Sequence, residues 1–504
     1  MLSIFDHGPP PPCPRPFNMA AHVLAAGAAT PEKTALMVLG ATGSEDWSFA
    51  RLRAAVLGTA TGLLAQGLAP GDVVLMRLGN TVDFPLAYLG AIAAGLVPCP
   101  TSAALTPREV AAILEGLKPK AVLRDPAVAS APHDTEIALG ALQAMRELPP
   151  AAFHLGDPDR LAYVIYTSGT SGVPRAVGHA HRAIWARRMM FDGWHGLRTD
   201  DRLMHAGAFN WTYTLGTGLM DPWTRGATAL IPAPGSPSAL LPDLLAAHRA
   251  TIFAAAPGVY RQILSDRDRL DLPHLRHGLS AGEKLAPRLA ADWTAASGKP
   301  VYEAYGMSEC STFISAGPGG PVPSDCIGRP QPGRRVAILG PDGPVPRGAE
   351  GTIAVHRDDP GLMLGYLGAP EETCARMRGP WFLTGDQGAM HDDDSITYLG
   401  RGDDMMNAGG YRVSPIEVEQ ALAGFPGLTG VGAADVEIKR DTRVIAAFYS
   451  AAGPLDEDAL RRYARERLAR YKQPRLFVHL PELPFGANGK LLRRRLRESF
   501  EAKE

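Results

Sequence analysis

Residues Asp83 to Leu96 form a helix-length run that is apolar nearly all round. A helix with no polar stripe has no face to give to water, so it belongs inside a sandwich of sheet and helices. The neighbouring runs supply that sandwich. Asp72-Val-Val-Leu-Met-Arg77 and Ala121-Val-Leu-Arg124 read as apolar strands, and Pro107 to Gly116 as a further helix. Thr34-Ala-Leu-Met-Val-Leu39 is strand-like within an otherwise helical stretch from Phe17 to about Gln66. Ser48 is placed to N-cap the helix that starts beside it, and Val97-Pro-Cys-Pro100 stops the apolar helix. Strands alternating with helices predict a parallel, doubly wound α/β architecture. No internal repeat of fixed period is present.

A chain of 504 residues is too long for one ordinary core, so two or more domains are expected. Lys and Arg (51) nearly balance Asp and Glu (52), so no global field recruits nucleic acid or an anionic membrane. No apolar run reaches the ~20 residues a membrane helix needs, and the N-terminus lacks the basic start and apolar core of a signal peptide. The five cysteines (Cys13, Cys99, Cys310, Cys326, Cys374) have no C-x-x-C spacing. They suit a reducing, cytoplasmic setting better than a zinc site or a disulfide framework. Pro9 to Pro16 reads as an extended surface arm, with a partner-docking motif as the alternative.

The strand-like Leu161-Ala-Tyr-Val-Ile-Tyr166 opens into Thr167-Ser-Gly-Thr-Ser-Gly-Val-Pro-Arg175. Gly169 and Gly172 let the backbone turn tightly, Thr167, Ser168, Thr170 and Ser171 add hydroxyls, and Arg175 adds fixed positive charge. This is chemistry suited to a polyanion such as a triphosphate, although no Walker G-x-x-x-x-G-K-[ST] is present. His179 to Met190 reads as a helix whose N-terminal dipole would add to anion binding. His179 and His181, with no metal-type partners nearby, read as structural. Phe209, Trp211 and Tyr213 alternate around Asn210, either as core packing or as a pocket wall with polar handles at Asn210 and Tyr213.

Two later strands, at His277 and Val301, run into small-residue turns: Gly282-Glu283 and Tyr305-Gly306-Met307-Ser308-Glu309. Such turns at strand ends are where open parallel sheets bind ligands. Tyr305 offers a flat face for a base, Ser308 a hydroxyl for phosphate, and Glu309 an oxygen for Mg²⁺. From Gly317 to Leu399 the texture becomes β-rich, with one short helix near Glu371 and a strand ending at Asp386, placed to clamp a ribose diol. Gly400-Arg-Gly-Asp-Asp404 marks a boundary before a compact α+β unit. The arginine run Arg493 to Arg497 reads as a solvated helix face, with phosphate contact as the alternative. The expected plan is an arm (1–16), a large α/β domain (17–400, β-rich over 317–399) and a small α+β domain (401–504).

Five motifs then occur in order: the Thr167–Arg175 loop, Tyr305–Glu309, Thr384-Gly-Asp386, Gly400-Arg-Gly-Asp-Asp404 with Gly409-Gly-Tyr-Arg412, and Asn488-Gly-Lys490. Together they resemble the adenylate-forming superfamily of acyl- and aryl-CoA synthetases, non-ribosomal adenylation domains and luciferases, most of all ligases of the benzoate-CoA type. The resemblance implies that a carboxylate attacks the α-phosphate of Mg-ATP to give an acyl-adenylate, and that the thiol of coenzyme A then displaces AMP. It implies phosphate binding by the Thr167–Arg175 loop, with Gly282, Glu283, Tyr305 and Gly306 beside the adenine, Ser308 at the α-phosphate and Glu309 at the metal. Asp386 and Arg401 would hold the ribose, with Arg412 also at the nucleotide site. Lys490 would bridge the reacting oxygens, Asp403 would be the hinge of a domain rotation, and Gly409, Gly410 and Tyr411 would line the coenzyme A path. The loop has Arg175-Ala176 where the family often has Lys-Gly, replacing a point charge by a planar fork.

In amino-acid-activating relatives an aspartate follows the phenylalanine of the aromatic segment; Asn210 stands there instead and gives a substrate ammonium no counter-ion. Phe209, Asn210, Trp211, Tyr213 and Tyr260 are expected to line a pocket for a compact aromatic, alicyclic or short- to medium-chain acid. A stand-alone enzyme that loads a carrier protein and a non-catalytic nucleotide-binding regulator are the alternatives. No carrier domain is expected after residue 504, and a monomer or homodimer is expected.

Overall fold

The computed structural model describes residues 1–41, 43–167, 175–320, 322–402, 404–408, 411–439, 442–485 and 491–501. Ser168, Gly169, Thr170, Ser171, Gly172, Asp403, Gly409, Gly410 and Lys490 therefore lie outside the described residues, as do the side chains of Tyr411 and Arg412. The chain forms two compact units, one of Phe5–Arg335 with Val355–Phe382, the other of Met1–Ile4, Val336–Ala354 and Leu383–Glu504.

In the first unit, strands Val301–Met307, His277–Ala281, Ile252–Ala255, Arg202–His205, Thr228–Pro232 and Thr34–Leu39 lie side by side and parallel. Ser311–Ser315 joins Val301–Met307 antiparallel on one side and Ser44–Ser48 joins Thr34–Leu39 on the other. A second, all-parallel sheet runs Val97–Pro100, Val73–Arg77, Ala121–Arg124, Glu136–Ala138. The helix Asp83–Ala93 is buried at every residue, as its composition requires. Its Gly90 allows close approach to the helix Phe49–Ala65: a Cβ there would stand 2.8 Å from the Thr59 methyl. Ser48 caps that second helix by accepting from the Arg51 amide. The Pro-rich arm is held by Arg15, which pairs with Asp157 (2.7 Å) and Asp159 (2.6 Å), and by the Trp185 indole, which donates to the Pro11 carbonyl.

Two expectations change. Val97–Pro100 does more than stop a helix: it is itself a buried strand. The segment after the glycine-rich loop is not a helix; Arg175–Ala180 is a strand between Leu161–Thr167 and Gly365–Tyr366. Helix begins only at Ala183–Ala186, so no helix dipole opens directly beyond Arg175. Gly178 explains the outcome, because the Leu367 and Leu161 side chains fill the space a Cβ there would need (2.9 and 3.1 Å). Neighbours on both sides override local propensity.

In the second unit, Asp386 and Arg401 face each other across the antiparallel strands Trp381–Met390 and Ile396–Arg401. Beyond them come the hairpin Met406–Ala408/Tyr411–Val413, the helix Pro415–Leu422 and the long antiparallel pair Leu428–Lys439/Thr442–Ala451. Leu476–His479 adds a parallel edge. Ser414 caps the Pro415 helix through the Glu417 amide, and proline occupies its first turn as expected. The last helix, Arg493–Glu501, is not simply a solvated arginine face. Arg493 makes a bidentate pair with Glu419 (2.9 and 2.8 Å) and Arg497 reaches Asp435 (3.0 Å), while Arg494 points to water.

Candidate active site

The parallel strands His277–Ala281 and Val301–Met307 are adjacent, with Ala281 level with Ala304. Their carboxyl ends therefore place Gly282-Glu283 and Tyr305–Ser308 side by side, the position where open α/β sheets take ligands. Gly282 has φ +97, which favours glycine, and a Cβ there would lie 2.9 Å from the Trp211 indole. Glu303 is buried beneath the turn, where it accepts from Lys284 (3.1 Å) and the Leu285 amide (2.8 Å). Tyr305 packs edge-on against Phe313 and stays half-exposed.

Gly306 sits at a bulge between Val301–Met307 and Ser311–Ser315, and a Cβ on it would lie 2.2 Å from the Ser311 carbonyl oxygen. Ser311 takes φ +58, a left-handed conformation that a serine adopts only when its surroundings enforce it. Gly306→Ala is therefore expected to cost about 1–3 kcal/mol by overpacking and to displace Tyr305 and Ser308. Thermal unfolding and nucleotide titration check this; a variant with parental stability and affinity contradicts it.

The strands on either side of the glycine-rich loop pair Thr167 with Arg175. Arg175 forms an ion pair with Glu372 and lies 5.3 Å from the Tyr366 ring centroid. The Tyr366 hydroxyl donates to Glu309 Oε1 at 2.7 Å, which orients that carboxylate. One residue earlier, the Ser308 carbonyl accepts from His179 Nε2 at 2.7 Å, fixing the Nε2–H tautomer. Burial pushes His179 down to about 4, so the ring is neutral, and Tyr163 stacks on it at 4.8 Å. His181 Nδ1 accepts from the Met19 amide. Both histidines are structural, and His179 ties the loop strand to the Ser308 turn.

Of the aromatic group, the structure brings Trp211 and Tyr213 together (5.3 Å, perpendicular) and sets the others apart. Phe209 is wholly buried and stacks near Phe84. Its amide donates to Asn80 Oδ1. Tyr260 packs with Phe253 and Trp293 in another core. The Tyr213 and Tyr260 hydroxyls both lie against the Leu279 carbonyl (3.2 and 3.0 Å). Burial raises both phenols well above their ordinary value, so they remain neutral supports. Asn210 and Trp211 keep partial exposure.

In the other unit, Asp386 is nearly buried and accepts from the Tyr398 hydroxyl (3.3 Å), with Arg401 Nε 3.6 Å away. Arg493 stands 3.8 Å from Asp404, next to the expected hinge. Tyr366, Tyr398 and Arg187, described below, escape sequence reasoning because their partners lie far along the chain with no fixed spacing.

Residues 24–367 match the family described as AMP-binding enzyme, and residues 417–490 its C-terminal domain. The chain is 29% identical to benzoate–CoA ligase of Thauera aromatica over 535 residues, covering 99% of each. It is 28% identical to the mitochondrial acyl-coenzyme A synthetase ACSM3 of Rattus norvegicus over 470 residues, 86% of this chain and 80% of that one. The crystal structure of ATP-bound MatB from Rhodopseudomonas palustris is similar with a TM-score of 0.87 at 26% identity, over 96% of this chain and 99% of that chain. By fold, by the order of its motifs and by these matches along nearly its whole length, the chain belongs to the AMP-binding enzyme family.

Proposed function

We propose that this chain is an ATP-dependent carboxylate–CoA ligase whose first product is an acyl-adenylate and whose second is an acyl-CoA thioester. The observation that carries this reading is the pair of turns, Gly282-Glu283 and Tyr305–Ser308, at neighbouring strand ends within a chain of this family. In the first half-reaction the carboxylate displaces pyrophosphate from the α-phosphorus; in the second, sulfur displaces AMP from the acyl carbon. Thr167, the loop Ser168–Gly172 and Arg175 bind the β- and γ-phosphates. Gly282, Glu283, Tyr305 and Gly306 flank the base, Ser308 the α-phosphate, Asp386 and Arg401 the ribose, and Arg412 also contacts the nucleotide. Lys490 supplies positive charge where the attacking oxygens gather negative charge, an electrostatic and positioning role.

Mg²⁺ would be held by Glu309 and the phosphates. The fit is chemical: Tyr366 occupies one side of Glu309 Oε1, and the half-buried carboxylate offers hard oxygen ligands. Among the described residues no cluster of three or more His, Cys, Asp or Glu could hold a metal, in keeping with an ion that relies on phosphate and water. When bound, it would neutralise phosphate charge. Asp403 is the proposed hinge between a domain ending near residue 400 and the C-terminal domain 401–504. The Arg493–Asp404 pair supports it by tying the residue after the hinge to the last helix. Gly409, Gly410 and Tyr411 are assigned to the coenzyme A path.

The acid is proposed to be compact. Trp211 and Asn210 form its wall, with Tyr213 packed against Trp211; Phe209 and Tyr260, expected in the same wall, are buried in cores apart from it. None of the five cysteines forms a disulfide, in line with a cytoplasmic setting, and no described helix is long and apolar enough to cross a membrane. Carboxylate-dependent ATP–pyrophosphate exchange tests the reading. Benzoate-sized and short- to medium-chain acids are expected to support exchange and CoA-dependent AMP release; a best rate with palmitate overturns the compact-acid assignment.

A further inference from the structure

Gly365–Tyr366 is the edge strand of the small sheet that also holds Arg175–Ala180, the strand leaving the phosphate loop. Its backbone is pinned on two sides. Leu364 and Leu367 donate to the Gly178 and Ala176 carbonyls (both 2.8 Å), and Met363 donates to the Glu309 carbonyl (2.7 Å). The Tyr366 amide donates to Thr373 Oγ1 (2.9 Å). Tyr366 is thereby fixed, 4% exposed, between two charged groups to which the ligase reading gives opposite duties. Its hydroxyl donates to Glu309 Oε1 (2.7 Å), and its ring centroid lies 5.3 Å from the Arg175 guanidinium carbon. Arg175 Nε pairs at the same time with Glu372 Oε2.

A phenol is suited to this place. Its O–H donates to a carboxylate, its π-face attracts a cation, and it brings no charge of its own. Burial and the Glu309 carboxylate raise its pKa further above the ordinary value, so it stays protonated and donating. A cation and a carboxylate on either side of one side chain attract each other, and a guanidinium that reached Glu309 would take the oxygens a metal needs. Here Glu372 takes the guanidinium on one side and the Tyr366 ring faces it on another. Glu309 keeps a neutral partner among the described residues, and with it a negative charge to offer a cation. The same arrangement accounts for arginine where the family often has lysine. A planar guanidinium can meet a ring and a carboxylate together, whereas an ammonium is a point charge.

We propose that Tyr366 is a positioning residue for adenylation: its hydroxyl presents Glu309 to the metal, and its ring seats Arg175 for the phosphates, keeping the two from neutralising each other. The inference rests on the ligase reading and gives this residue a part in it. Two separable effects follow. Removing the hydroxyl weakens the metal, and removing the ring weakens the nucleotide.

The experiment titrates the full chain with ATP in the absence of metal, then titrates its ATP complex with Mn²⁺ as a paramagnetic probe. Carboxylate-dependent pyrophosphate exchange is followed against Mg²⁺ alongside. Tyr366→Phe keeps the ring. It is expected to weaken Mn²⁺ in the ATP complex by about tenfold, to hold metal-free ATP affinity within about twofold of the parent, and to regain exchange as Mg²⁺ is raised. Tyr366→Leu removes ring and hydroxyl, and is expected to weaken metal-free ATP binding as well, by about threefold or more. Arg175→Lys keeps the charge but not the plane. It is expected to weaken metal-free ATP by a similar factor and to leave Mn²⁺ in the ATP complex at about parental affinity. Parental Mn²⁺ affinity in Tyr366→Phe, metal-free ATP affinity that falls as far as the metal affinity, or parental ATP affinity in Arg175→Lys overturns the inference while leaving the ligase standing. No carboxylate-dependent exchange by the parent at any Mg²⁺ concentration overturns the ligase reading itself and the inference with it.

Discussion

Lys490→Ala is expected to cut carboxylate-dependent ATP–pyrophosphate exchange by about 10²–10³-fold or more, the loss typical of removing one preorganised stabiliser of transition-state charge. The same variant is expected to convert a supplied acyl-adenylate and coenzyme A into thioester at close to the parental rate. The asymmetry follows from the chemistry. Negative charge gathers on oxygen as the carboxylate attacks phosphorus, and an ammonium group there lowers the barrier. In thioester formation the leaving group is AMP and the proposed domain rotation has withdrawn the lysine. Single-turnover assays of the two half-reactions separate the outcomes. If both rates fall together, the assignment of Lys490 to one half-reaction and the rotation about Asp403 are both wrong.

Asp221→Ala is expected to destabilise the first unit by about 3–5 kcal/mol, the cost of leaving a buried arginine without its carboxylate. Burial opposes the charge on Arg187, and Asp221 more than restores it, so the guanidinium stays protonated in the parent. The guanidinium also fills the space left by Gly216, where a Cβ would lie 2.4 Å from Nη2, so it cannot swing away to water. The double variant Arg187→Met/Asp221→Leu removes both charges and is expected to recover most of the loss, since a buried pair contributes less than its breakage costs. Urea midpoints of the earliest transition measure this. A shift below about 1 kcal/mol for Asp221→Ala, or a double variant no more stable than the single, contradicts the account.

Much of the architecture was legible because it is written in local pattern. The strand Thr34–Leu39 has the bounds its apolar run implies, and the buried helix Asp83–Ala93 follows from a sequence with no polar face. The turns at Gly282 and Tyr305 were visible because glycine must stand where the backbone is left-handed or tightly crossed. What was not legible depends on neighbours distant along the chain. Arg175–Ala180 is a strand because Leu161–Thr167 and Gly365–Tyr366 flank it, and no window around His179 contains that information. The same reason hid the bond from Tyr366 to Glu309 and the pairing of Arg187 with Asp221. Alternation of Phe209, Trp211 and Tyr213 left pocket and core undecided; burial assigns Phe209 to one core and Tyr213 to another, and leaves Trp211 against Gly282.

The two tyrosine hydroxyls that meet at the Leu279 carbonyl bear on how this protein would be redesigned. They brace the strand that delivers Gly282, so randomising Tyr213 or Tyr260 to widen acceptance would loosen the nucleotide turn along with the acid wall.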